Sequence, residues 1–450
     1  MDDPALADID SRLRRDIRRL GNQLGDALVR QSGRDLLDRV EQVRAAARSL
    51  RRDQDSSADL AGMLDGIDVD EAIGLVRAFT VYFHLANTAE QVHRVDDLRD
   101  AEANDHRFAE TVAKLVDQGL GVSEIVACVA GAELRPVFTA HPTEASRRSI
   151  LDKLAEISVL IEQRGEQSIA PYEQRRVDRR VDELIDAIWQ TDELRREQPN
   201  PVDEARSILY FLTEIAEHGV PELLDDIDAV VRSVGGSLDP DLVPIRFGSW
   251  VGGDRDGNPN VTPATTVEVL AFQRVRALRL LIAEIEELSA ELSVSTAVND
   301  ISPALAAQLA DDAERFPDVM SRFSKLSAGE PYRQRCSVMH HRLLQAAETP
   351  PGRGAYDSPD ELTADLALLA DSLSAHGGEL LARGRVARVR RMVAMIGFHL
   401  AVLDIRQHAR VHHVALVELF EPLGVDYAGL DRAGRVELLT AELASRRPLA

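Results

Sequence analysis

At 450 residues the chain can form two or more domains, or one large barrel-type domain. Its 44% hydrophobic and 29% charged residues place it among soluble globular proteins and exclude a low-complexity, disordered chain. The 53 basic and 76 acidic residues give a net charge of −23, which argues against nucleic acid or an anionic membrane as a broad-surface partner but leaves room for a small anionic substrate held by local arginines.

Only Cys128 and Cys336 occur, so no disulfide framework or cysteine-based zinc site is expected. The N-terminus MDDPALADID is acidic and has no apolar core, so it is not read as a signal peptide. No apolar run approaches the ~18 residues of a membrane span. A cytoplasmic protein is expected.

Residues 1–130 read as helical throughout. In Asp8–Ala27, Leu13, Ile17, Leu20 and Leu24 alternate with a solvated run of arginines, the pattern of an amphipathic surface helix. Glu71–Val95 is the strongest helix of the region. Ile73, Val76, Phe79, Phe83 and Ala86 form one stripe, broadened by Val81, Tyr82 and Leu85, which reads as core. Asn87 and Thr88 sit mid-helix, where propensity disfavours them, and so call for bonding partners.

Arg135–Ile150, RPVFTAHPTEASRRSI, carries the densest chemistry. Val137-Phe138-Thr139 reads as a buried strand, and Pro142 keeps His141 on a turn. Helical spacing begins after Glu144, with Thr143 a candidate N-cap. Arg147 and Arg148 fall in the first helical turn, where free N–H groups favour anions. An imidazole beside two guanidiniums suits a reaction on a phosphate or carboxylate. A second reading has His141 capping a core strand with both arginines solvated; the stretch itself does not choose.

Glu173–Leu194 reads as a helix with Val177, Val181, Leu184, Ile185, Ile188 and Trp189 inward, and Asp203–His218 as another. In Val243–Thr266, Ile245, Phe247, Trp250 and Val251 suggest a strand, followed by a tight loop from Gly252 to Asn260. Thr262-Pro263 starts the next helix. The loop fails as a phosphate P-loop, because Asn258-Pro259 follows Gly257, and as an EF-hand, because Pro263 stands where glutamate is needed. Asp254, Asp256 and Asn258 read as Asx-turn residues, and Arg255 and Trp250 as directed at a ligand.

Thr349–Asp360 reads as a long loop, and Leu362–Met395 as mostly helix. Gly397–Arg406 alternates Phe398, Leu400 and Val402 like a strand and ends on Arg406 before helical spacing resumes. Three strand-to-helix units, each with a basic residue at the strand's exit, suggest an α/β barrel with active-site residues at the carboxyl ends. His408 and His412 could form half a metal site, but the HExxH glutamate is missing and a solvated helix face is the simpler reading. His84 and His218 read as satisfied core or rim histidines.

FTAHPTEASRR (138–148), SWVGGDRDGNPNVT (249–262), LANTAEQ (85–91) and LDIRQ (403–407) resemble the signature segments of the phosphoenolpyruvate carboxylase family, in the same order and spacing. PYRQR (331–335) and DEAR (203–206) resemble its N-terminal half. The resemblance implies a mainly α, α/β fold: part of a (β/α)8 TIM-type barrel of the phosphoenolpyruvate/pyruvate-domain type with many extra helices. It divides into a helical region 1–130 and the first part of the barrel, 131–450. It also implies carboxylation of phosphoenolpyruvate by bicarbonate to oxaloacetate and phosphate, anaplerotic carbon fixation that feeds the tricarboxylic acid cycle. His141 carries the histidine that assists the carboxyphosphate step, and Arg406 the phosphate-binding arginine. Trp250 matches a tryptophan beside the bicarbonate pocket, and Arg255 and Arg147 are assigned to the site. The family's Mg2+ or Mn2+ ligands belong to its second half, which this sequence lacks. The chain alone is therefore expected to be inactive, although the complete protein would be a homotetrameric lyase. The alternative is a non-catalytic truncated paralogue that binds anions or a partner.

Overall fold

A computed structural model describes the chain except for residues 1–3, 51–63, 65, 103–106, 140–146, 166–168, 193–199, 257, 325–327 and 446–450. It is mainly helical and comprises two compact units that interleave along the sequence, Met1–Arg107 with Pro142–Gln198, and Phe108–His141 with Pro199–Ala450. The sequence reading instead divides the chain linearly at 130. No described helix is long and apolar enough to cross a membrane.

The first unit is built from α1 (Pro4–Ser32), α2 (Arg34–Leu50), α3 (Val69–Glu102), α6 (Arg148–Gly165) and α7 (Pro171–Gln190). The six inward positions expected of α7, from Val177 to Trp189, are all buried. On α3 the expected core stripe is corrected. Ile73, Val76 and Phe83 are 57%, 66% and 59% exposed, whereas Leu75, Ala78, Val81, Leu85, Ala89 and Val92 are buried. The helix is apolar nearly all round, so periodicity could not say which side meets α1 and α6. Thr88 finds its partner within the helix, its hydroxyl donating to the His84 carbonyl (2.9 Å).

The second unit begins with α4 (Arg107–Asp117) and α5 (Val122–Gly131) and holds a three-stranded parallel sheet in the order β1 (Val137–Phe138), β2 (Gly248–Ser249), β3 (Val402–Leu403). Around it run α8 (Pro201–Glu214), α9 (Val220–Ser233), α10 (Pro263–Glu291), α11 (Pro303–Arg315), α12 (Pro317–Ser324), α13 (Pro331–Ala347), α14 (Pro359–Ala375), α15 (Ala387–Ile396), α16 (Ala409–Phe420) and α17 (Arg432–Ala444). The core gathers Leu281, Ile285 and Leu288 of α10 with Cys336, Met339 and Leu343 of α13. Burial pushes the Cys336 thiol up to about 12, so it is a packing group rather than a nucleophile.

Two strand expectations are corrected. Val137, read as buried, is 42% exposed; among the described residues β1 lies at the edge of the sheet and pairs only with β2. The expected strand Gly397–Arg406 contracts to Val402–Leu403. Gly397 leaves α15 at φ 51° and Leu400 follows at φ 62°, so residues 397–400 form a turn. Phe398 and Leu400 are nevertheless buried, having met the core from a turn rather than from a pleat.

Candidate functional site

The parallel register sets Gly248 beside Val402 and Ser249 beside Leu403. The residues that leave β2 and β3 at their carboxyl ends are therefore neighbours, and a bridge pairs Asp254 with Arg406. Backbone bonds stitch the two exits together: Arg406 N–H donates to Gly253 O (3.0 Å), and Arg255 N–H donates to Arg406 O (2.8 Å).

Glycine is required at the bend for two separate reasons. Gly252 has φ 84°, and a Cβ there would fall 2.6 Å from Val269 Cγ2 on α10. A Cβ on Gly253 would fall 2.2 Å from the Asp404 carbonyl oxygen, so only glycine lets the β2 loop approach β3 this closely. Beyond the bend the Asx reading holds for two of the three residues: Asp254 Oδ1 accepts from Asp256 N–H (3.2 Å) and Asn258 Oδ1 from Asn260 N–H (3.0 Å), whereas Asn258 N–H donates to Arg255 O rather than to the Asp256 side chain. Thr262 caps α10, its hydroxyl accepting from Thr265 N–H (3.2 Å), with Pro263 at the first helical position as expected.

At this carboxyl end four side chains form one frame. Arg406 donates from Nε and Nη2 to the two oxygens of Asp254 (2.9 and 2.7 Å). Its guanidinium carbon lies 5.0 Å from the centroid of the Trp250 ring, and the indole N–H donates to Asp404 Oδ2 (3.2 Å). The Arg406 side chain stays 53% exposed. Its hydrogen bonds hold the Asp254 carboxyl below the usual aspartate range, with help from the Asp256 N–H. Arg255 turns towards α10, its Nη2 donating to Thr266 Oγ1 (3.1 Å), while its buried Nε has no hydrogen-bond partner among the described residues.

Thus the side chains of Trp250 and Arg406 come together, whereas Arg255 joins them only through its backbone and directs its side chain to α10. Arg147 belongs to the first unit, where it donates to Asp192 (3.2 Å). His141 lies outside the described residues. The sequence reading missed Asp404 and saw Asp254 only as a turn residue. Their signal was spacing, because Asp404 and Arg406 are two apart at a strand exit and so project from one face.

The other described histidines do not join this frame. His399 precedes β3, at the entry side of the sheet, and burial, helped by Arg246, pulls its pKa down. His408 is the N-cap of α16, its Nδ1 accepting from Arg410 N–H (3.2 Å), and a ring nitrogen used as an acceptor is not free for a metal. Among the described residues no group of three or more His, Cys, Asp or Glu side chains gathers as a metal site.

A planar, permanently charged fork on an aromatic face, at the carboxyl ends of parallel strands, suits a phosphate or carboxylate. The comparisons agree with that chemistry. A family model described as phosphoenolpyruvate carboxylase matches residues 13–450. A phosphoenolpyruvate carboxylase of Pseudomonas paraeruginosa is 37% identical over 99% of this chain and 50% of its own length. One from Rhodopseudomonas palustris is 36% identical over 100% and 49%, and one from Escherichia fergusonii 34% over 98% and 49%. The chain spans about half the length of these curated relatives.

Proposed function

The chain belongs to the phosphoenolpyruvate carboxylase family, and from that membership we propose that it supplies the first half of a site converting phosphoenolpyruvate and bicarbonate to oxaloacetate and phosphate. In this reading bicarbonate attacks phosphorus to give carboxyphosphate and the pyruvate enolate; carboxyphosphate then breaks down to CO2 and phosphate, and the enolate carbon takes up the CO2. Arg406 binds the phosphoryl oxygens and Trp250 borders the bicarbonate, and Arg255 and Arg147 are assigned supporting roles in substrate binding through the family resemblance. His141 accepts the carboxyl proton, which an imidazole of ordinary pKa near ~6.5 can do at neutral pH.

The observation that carries this reading is the exposed Arg406 fork, stacked on Trp250 and gripped by Asp254 along one edge. The three parallel strands support reading the sheet as part of a (β/α)8-type barrel. A cytoplasmic homotetramer acting anaplerotically completes the proposal. Mg2+ or Mn2+ belongs to it through the family. The described residues do not fit such an ion: no acidic or histidine cluster gathers, and Asp254 and Asp404 are engaged by Arg406 and the Trp250 indole. The metal's ligands are proposed to come from polypeptide outside this chain.

Two measurements test the reading. In calorimetric titration the chain should bind phosphoenolpyruvate, and Arg406→Gln should weaken binding at least tenfold, as expected for loss of a charge-assisted bidentate contact (~1.4 kcal/mol or more). In a coupled assay with bicarbonate and Mg2+ the chain alone should form no oxaloacetate, and turnover should appear once a polypeptide matching the second half of the Pseudomonas paraeruginosa relative is added. Within that pair His141→Asn should keep phosphoenolpyruvate binding and stop net carboxylation. Binding indifferent to Arg406 would remove the site. Binding without turnover in the pair would favour a non-catalytic, anion- or partner-binding protein.

A further inference from the structure

The geometry points to Asp254 as the positioning residue of Arg406: it holds the Nε–Nη2 edge of the guanidinium so that the Nη1 edge is presented to a tetrahedral anion. This inference rests on the proposed role of Arg406 as the phosphate-binding arginine. A long side chain that is 53% exposed would otherwise spread over many rotamers. Two constraints remove that freedom. The Trp250 ring, itself fixed through its N–H to Asp404, sets the plane of the guanidinium. Asp254 then sets rotation within that plane through two hydrogen bonds.

Asp254 is well placed to do so. Its backbone N–H donates to Trp250 O (2.9 Å), its Oδ1 also accepts from Asp256 N–H, and the flanking peptides are bonded to Arg406 itself. Its side chain is 29% exposed against 53% for Arg406, so the carboxylate is the fixed partner and the guanidinium the mobile one. Nη1 makes no hydrogen bond among the described residues. A phosphoryl group can meet it, with the second Nη2 hydrogen, in the fork geometry that Arg offers and Lys does not. The rival view makes Asp254 a built-in competitor that neutralises Arg406 until substrate displaces it. The two views predict opposite signs when the carboxylate is removed.

The test uses Trp250 as its own reporter. The chain has two tryptophans, so Trp189→Phe leaves Trp250 as the sole emitter. In that background, without ligand, Asp254→Asn should raise acrylamide quenching of Trp250 about twofold as the guanidinium leaves the ring. Arg406→Gln should do the same, and the double substitution should add nothing. Arg406→Lys, which keeps the charge but not the fork, should match Arg406→Gln and keeps the test open if the aspartate variant fails to fold. With phosphoenolpyruvate as probe, Asp254→Asn should weaken binding about tenfold, and only while Arg406 is present. Unchanged quenching, or tighter binding in Asp254→Asn, overturns the positioning role. Failure of the parent chain to bind phosphoenolpyruvate overturns the proposed function instead, while the ligand-free quenching still decides what Asp254 does.

Discussion

Arg335 and Arg406 both meet aspartates through paired hydrogen bonds, yet one is 1% exposed and the other 53%. On α13, Arg335 Nη1 donates to both oxygens of Asp312 at 2.7 Å, and Nη2 pairs with Asp365. Asp365 also accepts from Tyr356 O–H (2.6 Å), whose ring lies 3.8 Å from the Arg342 guanidinium carbon. Burial pulls the Arg335 pKa down, but Asp365 and Asp312 outweigh it and leave the cation held above its ordinary value. This arginine is enclosed between its partners. Arg406 has a carboxylate on one edge and, among the described residues, no hydrogen-bond partner on the other. A buried fork surrounded by carboxylates serves the fold, whereas a half-held fork at a strand exit has the free edge that the proposed function requires.

The widest gap between them should open on truncation. Arg335→Met removes the cation from the buried Asp312 and from the partly exposed Asp365, and breaking a buried pair in this way costs about 3–5 kcal/mol. The urea midpoint should fall accordingly, and adding Asp312→Leu should recover part of the loss. Arg406→Gln should leave the midpoint where it was while losing phosphoenolpyruvate affinity. If both variants unfolded alike, Arg406 would be a structural ion pair and the contrast would collapse.

The next largest effect tests the scaffold that presents Arg406. Gly253→Ala puts a methyl against the Asp404 carbonyl, 2.2 Å away, so the β2 loop must part from β3. Such overpacking against backbone should cost about 1–3 kcal/mol. It should also loosen Arg406 from Trp250, read as increased acrylamide quenching in the Trp189→Phe background. Normal quenching in a destabilised Gly253→Ala protein would show that the frame does not depend on the close approach of the two strands.

How much of this was legible in the sequence follows from the kind of signal. The inward face of α7 could be read because its apolar residues alternate with charged ones, so only one side could be buried. On α3 the same method failed, because valines and phenylalanines occur on every side and the partners decide which are covered. The turn at Gly397–Leu400 imitated strand alternation, since two apolar residues flanking His399 enter a core equally well from a turn. Trp250, Arg255 and Arg406 were legible as polar or aromatic residues at strand exits. The pairing of Arg406 with Asp254 was not, because it depends on the register of two strands that brings together residues 152 apart in the chain. In the sequence the PYRQR segment carries only a resemblance, whereas in the fold its Arg335 is the centre of a buried ion network.

The smallest effect tests an intermediate case, a buried carboxylate with a less complete partner. Glu284 on α10 is 6% exposed and meets Arg385 Nη2 at 2.9 Å, but Arg385 also serves Glu287 and Glu291. Burial raises the Glu284 pKa, and the Arg385 charge only partly offsets it. A raised folded value means that folding favours the protonated acid. The stability Glu284 contributes is therefore complete below its ordinary value near 4.5 and is lost as pH rises through the folded one. Glu284→Gln mimics the protonated form at every pH. Its urea midpoint should match the parent's in mild acid and exceed it increasingly as pH rises through the folded value. A gap that opened the other way, with the variant weaker as pH rises, would mean that the ion pair outweighs its desolvation. Glu284 and Arg385 would then belong with Arg335 among the pairs that hold the core.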